Sequence, residues 1–339
     1  MKRYERIPKI GFILSATVFL MATYIFFTPM AISVERTLRL GHGGDPASAF
    51  HQGIIPYSDN VAKRTNNRLR IIIYPASQLG GNREMFEAVL LGNLDMASIP
   101  ASFIASFIPE ATMWSFPYLI QDEAYWNRLT RGKIGEKFRK IFERHGATLL
   151  SFHSVGFRHT LSKKKVETIE DLKGVRFRIM ESPIERITWT TLGAVPTPIP
   201  YSEVYMALKL GTVEAMENPL FFMVSMKFYE VTNYLIMTAH SHQTNMIVIN
   251  KKIFDSLESD LQTILVNESL KGEEYISASV RGGDTEALKF LTAKGKGNLE
   301  PIQPDLTPFR KRVGAILTEM TKKFTPETIE LIKEAMAGP

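Results

Sequence analysis

The segment Val175–Pro219, VRFRIMESPIERITWTTLGAVPTPIPYSEVYMALKLGTVEAMENP, carries the clearest structural signal in the chain. VRFRIM alternates apolar and polar residues, the period of a half-buried strand. Ser182-Pro183-Ile184-Glu185 then stacks three helix-start signals. Ser182 can cap, Pro183 suits the first helical position, and Glu185 completes a capping box. This helix is predicted to stop at Gly193. AVPTPIP is extended, Ser202 is predicted to cap a second helix that stops at Gly211, and TVEAMEN returns as a strand. Strand, helix, glycine, strand is the rhythm of α/β units on a parallel sheet.

The same rhythm extends in both directions. Upstream, Leu38–Leu40 opens as a strand and runs into the turn GHGGDP, and LRIIIY (69–74) reads as a buried strand. Helical spacing over 82–91 ends at Gly92, a strand covers 94–99, and an amphipathic helix over 133–145 precedes the strand ATLLSFHSVGF. Downstream, 219–234 reads as helical, and LIMTAH and NMIVIN read as two separate strands. From Ser256 to Lys294 the pattern is mainly helical. The amphipathic stretches TPFRKRVGAILTEMTKKF and PETIELIKEAM follow.

The chain has 339 residues, 45% hydrophobic and 22% charged, a length that suits two domains with ordinary cores. Lys2, Arg3, Arg6 and Lys9 precede an uncharged run from Ile10 to Val34, and Ala31-Ile32-Ser33 fits a small-x-small cleavage site. Residues 1–33 therefore read as a secretory signal peptide, with an uncleaved membrane anchor as the alternative. There is no cysteine, so the exported chain relies on its core and not on disulfides. The formal net charge is +6, of which residues 1–33 contribute +3. The mild positive balance left in the rest suits anionic small ligands. No basic block is interleaved with aromatics, which argues against nucleic acid.

Catalytic and cofactor signatures are missing. GHGGDP is not a dinucleotide fingerprint, no phosphate loop ends in Gly-Lys-Ser/Thr, and neither H-E-x-x-H nor G-x-S-x-G occurs. His51, His153 and His159 lack metal-ligand spacing. No metal or cofactor is expected. In open α/β sheets ligand groups gather where strands end and helices begin. Arg178, Arg158 and Asn218 fall near such places. A strand arginine is ordinarily solvated or salt-bridged, but a guanidinium fork also matches both oxygens of a carboxylate, which lysine cannot do. Asn218, before Pro219, is pushed to extended geometry. It reads either as a cap for the next helix or as a fixed amide donor. By strand alternation it faces away from Glu217, which keeps that carboxylate off an anion held by Asn218. Tyr201 can wall a pocket or pack the core. His42, Asn82, His240 and Asn245 are weaker candidates on loops or strand ends.

These positions sit in one block, Glu170–Leu220, that strongly resembles the solute-binding proteins of tripartite ATP-independent periplasmic (TRAP) transporters, the DctP family. The family's run D-L-K-G-x-x-x-R, L-G-A-x-P-T-P, S-E-V-Y-x-A-L and G-x-V-D/E-G-x-E-N-P is followed nearly throughout. Ala215 departs where the family usually has glycine. YPASQLGGNREMFEAVLLGNLDM and GFRHTLSKK match two further signatures, and the resemblance covers Arg36 to the C-terminus. It implies a two-lobed, periplasmic-binding-protein-like α/β fold with a ligand cleft between the lobes and a long connecting helix. Lobe one would be 36–155 plus 244–283, and lobe two 156–243 plus 284–339. The family's carboxylate-binding arginine falls on Arg178, its second arginine on Arg158, its asparagine on Asn218 and its aromatic wall on Tyr201. Gly43, Asn82 and Pro100 match positions that touch the rest of the ligand. In sialic-acid binders the last two are acidic. Here Asn82 is neutral and Pro100 has no side-chain donor, which argues against that ligand.

The resemblance implies a periplasmic protein that captures an organic acid anion and hands it to the small and large TRAP membrane subunits, without catalysis. Two arginines favour a C4-dicarboxylate or a sugar acid. The alternatives are an exported enzyme using His42 or His240 as a base near Arg178, and a membrane-anchored sensor.

Overall fold

The computed structural model describes residues 36–338, so the predicted signal peptide lies outside the described residues. One mixed sheet runs through the molecule in the order β2-β1-β3-β8-β4-β7-β5-β6, with β9 pairing β8. Its strands are β1 (Arg36–His42), β2 (Leu69–Tyr74), β3 (Met96–Pro100), β4 (Ala147–Ser162), β5 (Arg176–Ile179), β6 (Val195–Pro198), β7 (Ala215–Asn218), β8 (Tyr234–Asn250) and β9 (Glu300–Ile302). Parallel β2, β1 and β3 form one half, and parallel β6, β5 and β7 form the other. The two halves meet on β4 and β8, which pair antiparallel along nearly their whole lengths.

LIMTAH and NMIVIN are thus one 17-residue strand, not two. The residues that join them, Ser241–Thr244, are polar. They stay extended because β4 satisfies their backbone, and they are buried throughout. The register shifts between Ser154 and Phe157 and again between Arg158 and Thr160. Gly156 sits in that irregular stretch at φ +86°. A side chain there would be strained, and its Cβ would lie 2.5 Å from Asp284 Oδ2. The two long strands change course where one half of the sheet gives way to the other.

Other expectations shift locally. The helix predicted over 219–234 divides into Leu220–Ser225 and a 3₁₀ turn Phe228–Val231, separated by Lys227 at φ +55°. Ser182 does stand at the start of the helix Pro183–Thr191, but its hydroxyl caps nothing and Glu185 is buried, so the capping box is not made. Ser202 lies inside the 3₁₀ turn Tyr201–Glu203 and does not cap the helix Val204–Leu210.

Burial of large apolar side chains holds the frame. Trp114, Trp126, Phe138 and Phe142 centre one core, and Phe177 stacks on Trp189 in another, with ring centroids 3.6 Å apart. The last helix, Pro326–Ala337, sends Ile329, Ile332 and Ala335 into the first of these cores. Its Glu327 also pairs with Arg144 at 3.0 Å, on the helix Lys133–Arg144. It therefore packs against the helix Lys133–Arg144 and the 3₁₀ turn Pro109–Ser115.

The 34-residue helix Ser259–Thr292 crosses the back of the sheet and packs on the helix Ala49–Arg64. Gly53 permits that crossing: a Cβ there would lie 2.7 Å from the Ile276 backbone Cα. Gly53→Ala is expected to destabilise the protein by about 1–3 kcal/mol through overpacking. Urea unfolding measures it, and an unchanged midpoint would show that the two helices separate freely.

Candidate functional site

The site begins on β7, where strand alternation sends Asn218 and Glu217 to opposite faces. β7 runs antiparallel to β4, with His159 opposite Asn218 and Thr160 opposite Glu217. Arg158 on β4 therefore lies diagonally across from Glu217 and reaches it. Arg158 Nε and Nη2 both donate to the Glu217 carboxylate, the latter at 2.7 Å to Oε1, and Nη2 also donates to the Glu217 carbonyl at 2.8 Å. Nη1 donates to Gln243 Oε1. Arg158 is 2% exposed and Glu217 0%, so each charge depends on the other. Burial alone would raise the Glu217 pKa, but the Arg158 charge holds it well below the usual carboxylate range. Glu185 lies near both arginines. Burial, and then the Glu217 charge, push its carboxyl well above the usual range.

Arg178 is differently placed. Nε donates to the Ile199 carbonyl at 3.1 Å, while Nη2 is buried with no partner. Burial draws its pKa down to about 10, which leaves it cationic at neutral pH. Asn218 Nδ2 and the Tyr201 hydroxyl are also buried without partners. They are neighbours, but form no well-aligned hydrogen bond with each other. Asn218 is not the cap of the following helix. Pro219 occupies that position, and Asp284 of the long helix accepts from the Phe221 amide at 3.1 Å. The amide of Asn218 is thereby left free to act elsewhere.

Arg178, Asn218, Tyr201 and Arg158 line a single cavity of about 40 Å³ between the two halves of the molecule. Opposite them, the first half contributes Gly43, Asn82, Ser98, Pro100 and Asn245. The backbone at Gly43 comes close to the side chain of Asn82: a Cβ there would lie 3.2 Å from Asn82 Oδ1. Phe50, Phe103, Met180 and Phe222 supply apolar wall. Sequence reasoning did not single out these four, nor Ser98 and Gln243. Phe222 carried the one usable signal, since it stands four residues after Asn218.

His42 and His240, named from sequence as candidates, do not line the cavity. Gly44 N donates to His42 Nδ1 at 3.1 Å, which puts the proton on Nε2, 3.0 Å from His51 Nδ1. Burial, and then His51, lower the His42 pKa to about 3, so it acts as a neutral brace for the glycine turn. His240 sits behind the site, with Nε2 3.5 Å from Glu217 and its ring edge-on to Trp189. Burial lowers its pKa too. No group of His, Cys, Asp or Glu that could hold a metal occurs among the described residues.

A pocket between two halves, with the unpaired donors of Arg178, Asn218 and Tyr201 on one wall and neutral groups on the other, is the arrangement of a binding protein. The family described as "Bacterial extracellular solute-binding protein, family 7" (DctP) matches residues 40–323. The chain belongs to this family. Among its relatives, a "Solute-binding protein" of Verminephrobacter eiseniae (strain EF01-2) is 32% identical over 292 residues, covering 85% of this chain and 87% of its own. The "2,3-diketo-L-gulonate-binding periplasmic protein YiaO" of Escherichia coli (strain K12) is 29% identical over 300 residues, covering 88% of this chain and 90% of its own. A TRAP periplasmic solute binding protein from Desulfovibrio salexigens, solved with bound orotic acid, superposes with a TM-score of 0.82 at 29% identity. That superposition covers 89% of this chain and 98% of the solved one. The two-lobed α/β fold expected for a family 7 protein is the fold found. Among the described residues no helix is long and apolar enough to cross a membrane.

Proposed function

We propose that this protein captures an organic acid anion in the cavity between its lobes and delivers it to a TRAP membrane permease. The observation that carries this is a set of buried donors without partners on one wall, Arg178 Nη2, Asn218 Nδ2 and the Tyr201 hydroxyl, with the equally unpartnered Ser98 hydroxyl facing them. Leaving such groups unsatisfied is costly, and one bound carboxylate would satisfy the first three together. Arg178 would form the ion pair, Asn218 and Tyr201 would donate alongside it, and Arg158 would complete the wall. Asn82 and Gly43 would contact the rest of the ligand. Closure would move lobe one, 36–155 with 244–283, against lobe two, 156–243 with the segment from 284. The final helix would stay with lobe one. The ligand shifts this balance by its preference for the closed state.

The protein would act in the periplasm, with residues 1–33 serving for export. It would bind without turnover, since neither histidine offered as a base reaches the cavity lining. A thermal-shift screen of organic acids on the purified protein tests the reading. A ligand present at 100 times its Kd stabilises by about 2.7 kcal/mol. A carboxylic acid is expected to raise the melting temperature and to be recovered unchanged. A screen in which neutral or cationic solutes bind and acids do not would overturn the reading.

A further inference from the structure

The charges around the cavity do not match the number of its arginines. Among the described residues, Arg158 and Arg178 are the only charged ones that line it. The Arg158 fork is spent on Glu217 and Gln243, so that pair contributes no net charge. Glu185 adds either nothing or a further negative charge. The arginine–carboxyl cluster thus offers at most one uncompensated positive charge, on Arg178. Both arginines lie on the wall formed by the second half of the molecule. The facing wall carries Asn82, Ser98, Pro100 and Asn245, with no cation. Gln243 Nε2 already donates to Asn245 Oδ1 at 3.1 Å, which orients the Asn245 amide. Amides and hydroxyls can donate to or accept from hydroxyl and carbonyl groups. They do not balance a second buried carboxylate, which would then lie desolvated without a counter-charge.

We propose that the cavity selects a monocarboxylate whose remaining polar groups are neutral, a hydroxy or polyhydroxy acid, and rejects the matching dicarboxylate. This rests on the organic-acid reading above and narrows it. With the Arg158–Glu217 pair neutral, Asn82 and Asn245 become the specificity-determining residues, because they leave the far wall without a cation.

The test uses acid pairs that differ only in oxidation of the terminal CH2OH to a carboxylate: D-erythronate and meso-tartrate, galactonate and galactarate, 4-hydroxybutyrate and succinate. Titration calorimetry on the purified protein is expected to show the monoacid of any binding pair tighter by about 100-fold or more. A diacid that binds as tightly as its partner, or a diacid as best ligand in a wider organic-acid screen, overturns the proposal. A monoacid as best ligand of that screen supports it. If no organic acid binds at all, the organic-acid reading fails as well, which separates the two failures. Asn82→Lys supplies the missing cation and is expected to narrow the gap by about 10-fold. An unchanged gap in a variant that keeps its melting temperature would show that charge count is not the cause. If that variant does not fold, the wild-type pairs still decide.

Discussion

Arg178→Lys is expected to weaken binding of the native acid by about 100-fold or more while leaving the melting temperature of the ligand-free protein within a few degrees. The guanidinium has a division of labour that an ammonium cannot copy. Nε is held by the Ile199 carbonyl at 3.1 Å, and that bond aims the rest of the fork at the cavity. Nη2 waits there without a partner. A lysine keeps the charge but loses the anchoring bond and the planar pair of donors. A hydrogen bond to a charged group is worth about 1.5–3 kcal/mol, and two of them correspond to at least the stated factor. Calorimetric titration with the best acid found by screening measures it. An unchanged Kd would remove Arg178 from the binding role and leave it as a structural residue of β5.

Glu217→Gln is expected to cost about 3–5 kcal/mol of folding stability, the largest effect on the fold among the site residues. Its carboxylate is 0% exposed and is the counter-charge of Arg158, itself 2% exposed. The substitution keeps the shape but leaves a buried guanidinium without compensation, and that is where the cost arises. Chemical unfolding gives the magnitude. A double-mutant cycle with Arg158→Met separates the pair from its surroundings, because removing both charges should destabilise less than removing one. Losses that simply add would show that Arg158 and Glu217 are not coupled.

The two substitutions also separate the two arginines that the sequence presented as equals. Arg178 falls within one strand pattern and Arg158 just after another, and each matches a family position. Nothing local distinguishes the arginine that is free from the one that is spoken for. The distinction comes from β7 lying beside β4, with Thr160 opposite Glu217, which brings residues 59 positions apart into a buried ion pair. The histidines follow the same logic. His42 and His240 stood at strand ends, where ligand groups gather, and only packing shows one bracing a glycine turn and the other backing Glu217. Ser182 and Glu185 had the spacing of a capping box. Burial of Glu185 beside two arginines overrode that local preference.

The amino-acid order alone determined the alternation of strands and helices and the family, and it singled out Arg178, Asn218 and Tyr201, which line one cavity. These follow from periodicity, glycine and proline punctuation, and a long motif, all written locally along the chain. Tertiary structure decided that LIMTAH and NMIVIN are a single strand shared by both halves of the sheet, and that the C-terminal helix packs against the helix Lys133–Arg144. It also decided that Arg158 is paired with Glu217 while Arg178 keeps a guanidinium nitrogen without a partner. Each of those depends on which distant backbone or carboxylate comes to lie alongside, and short-range pattern carries no record of that.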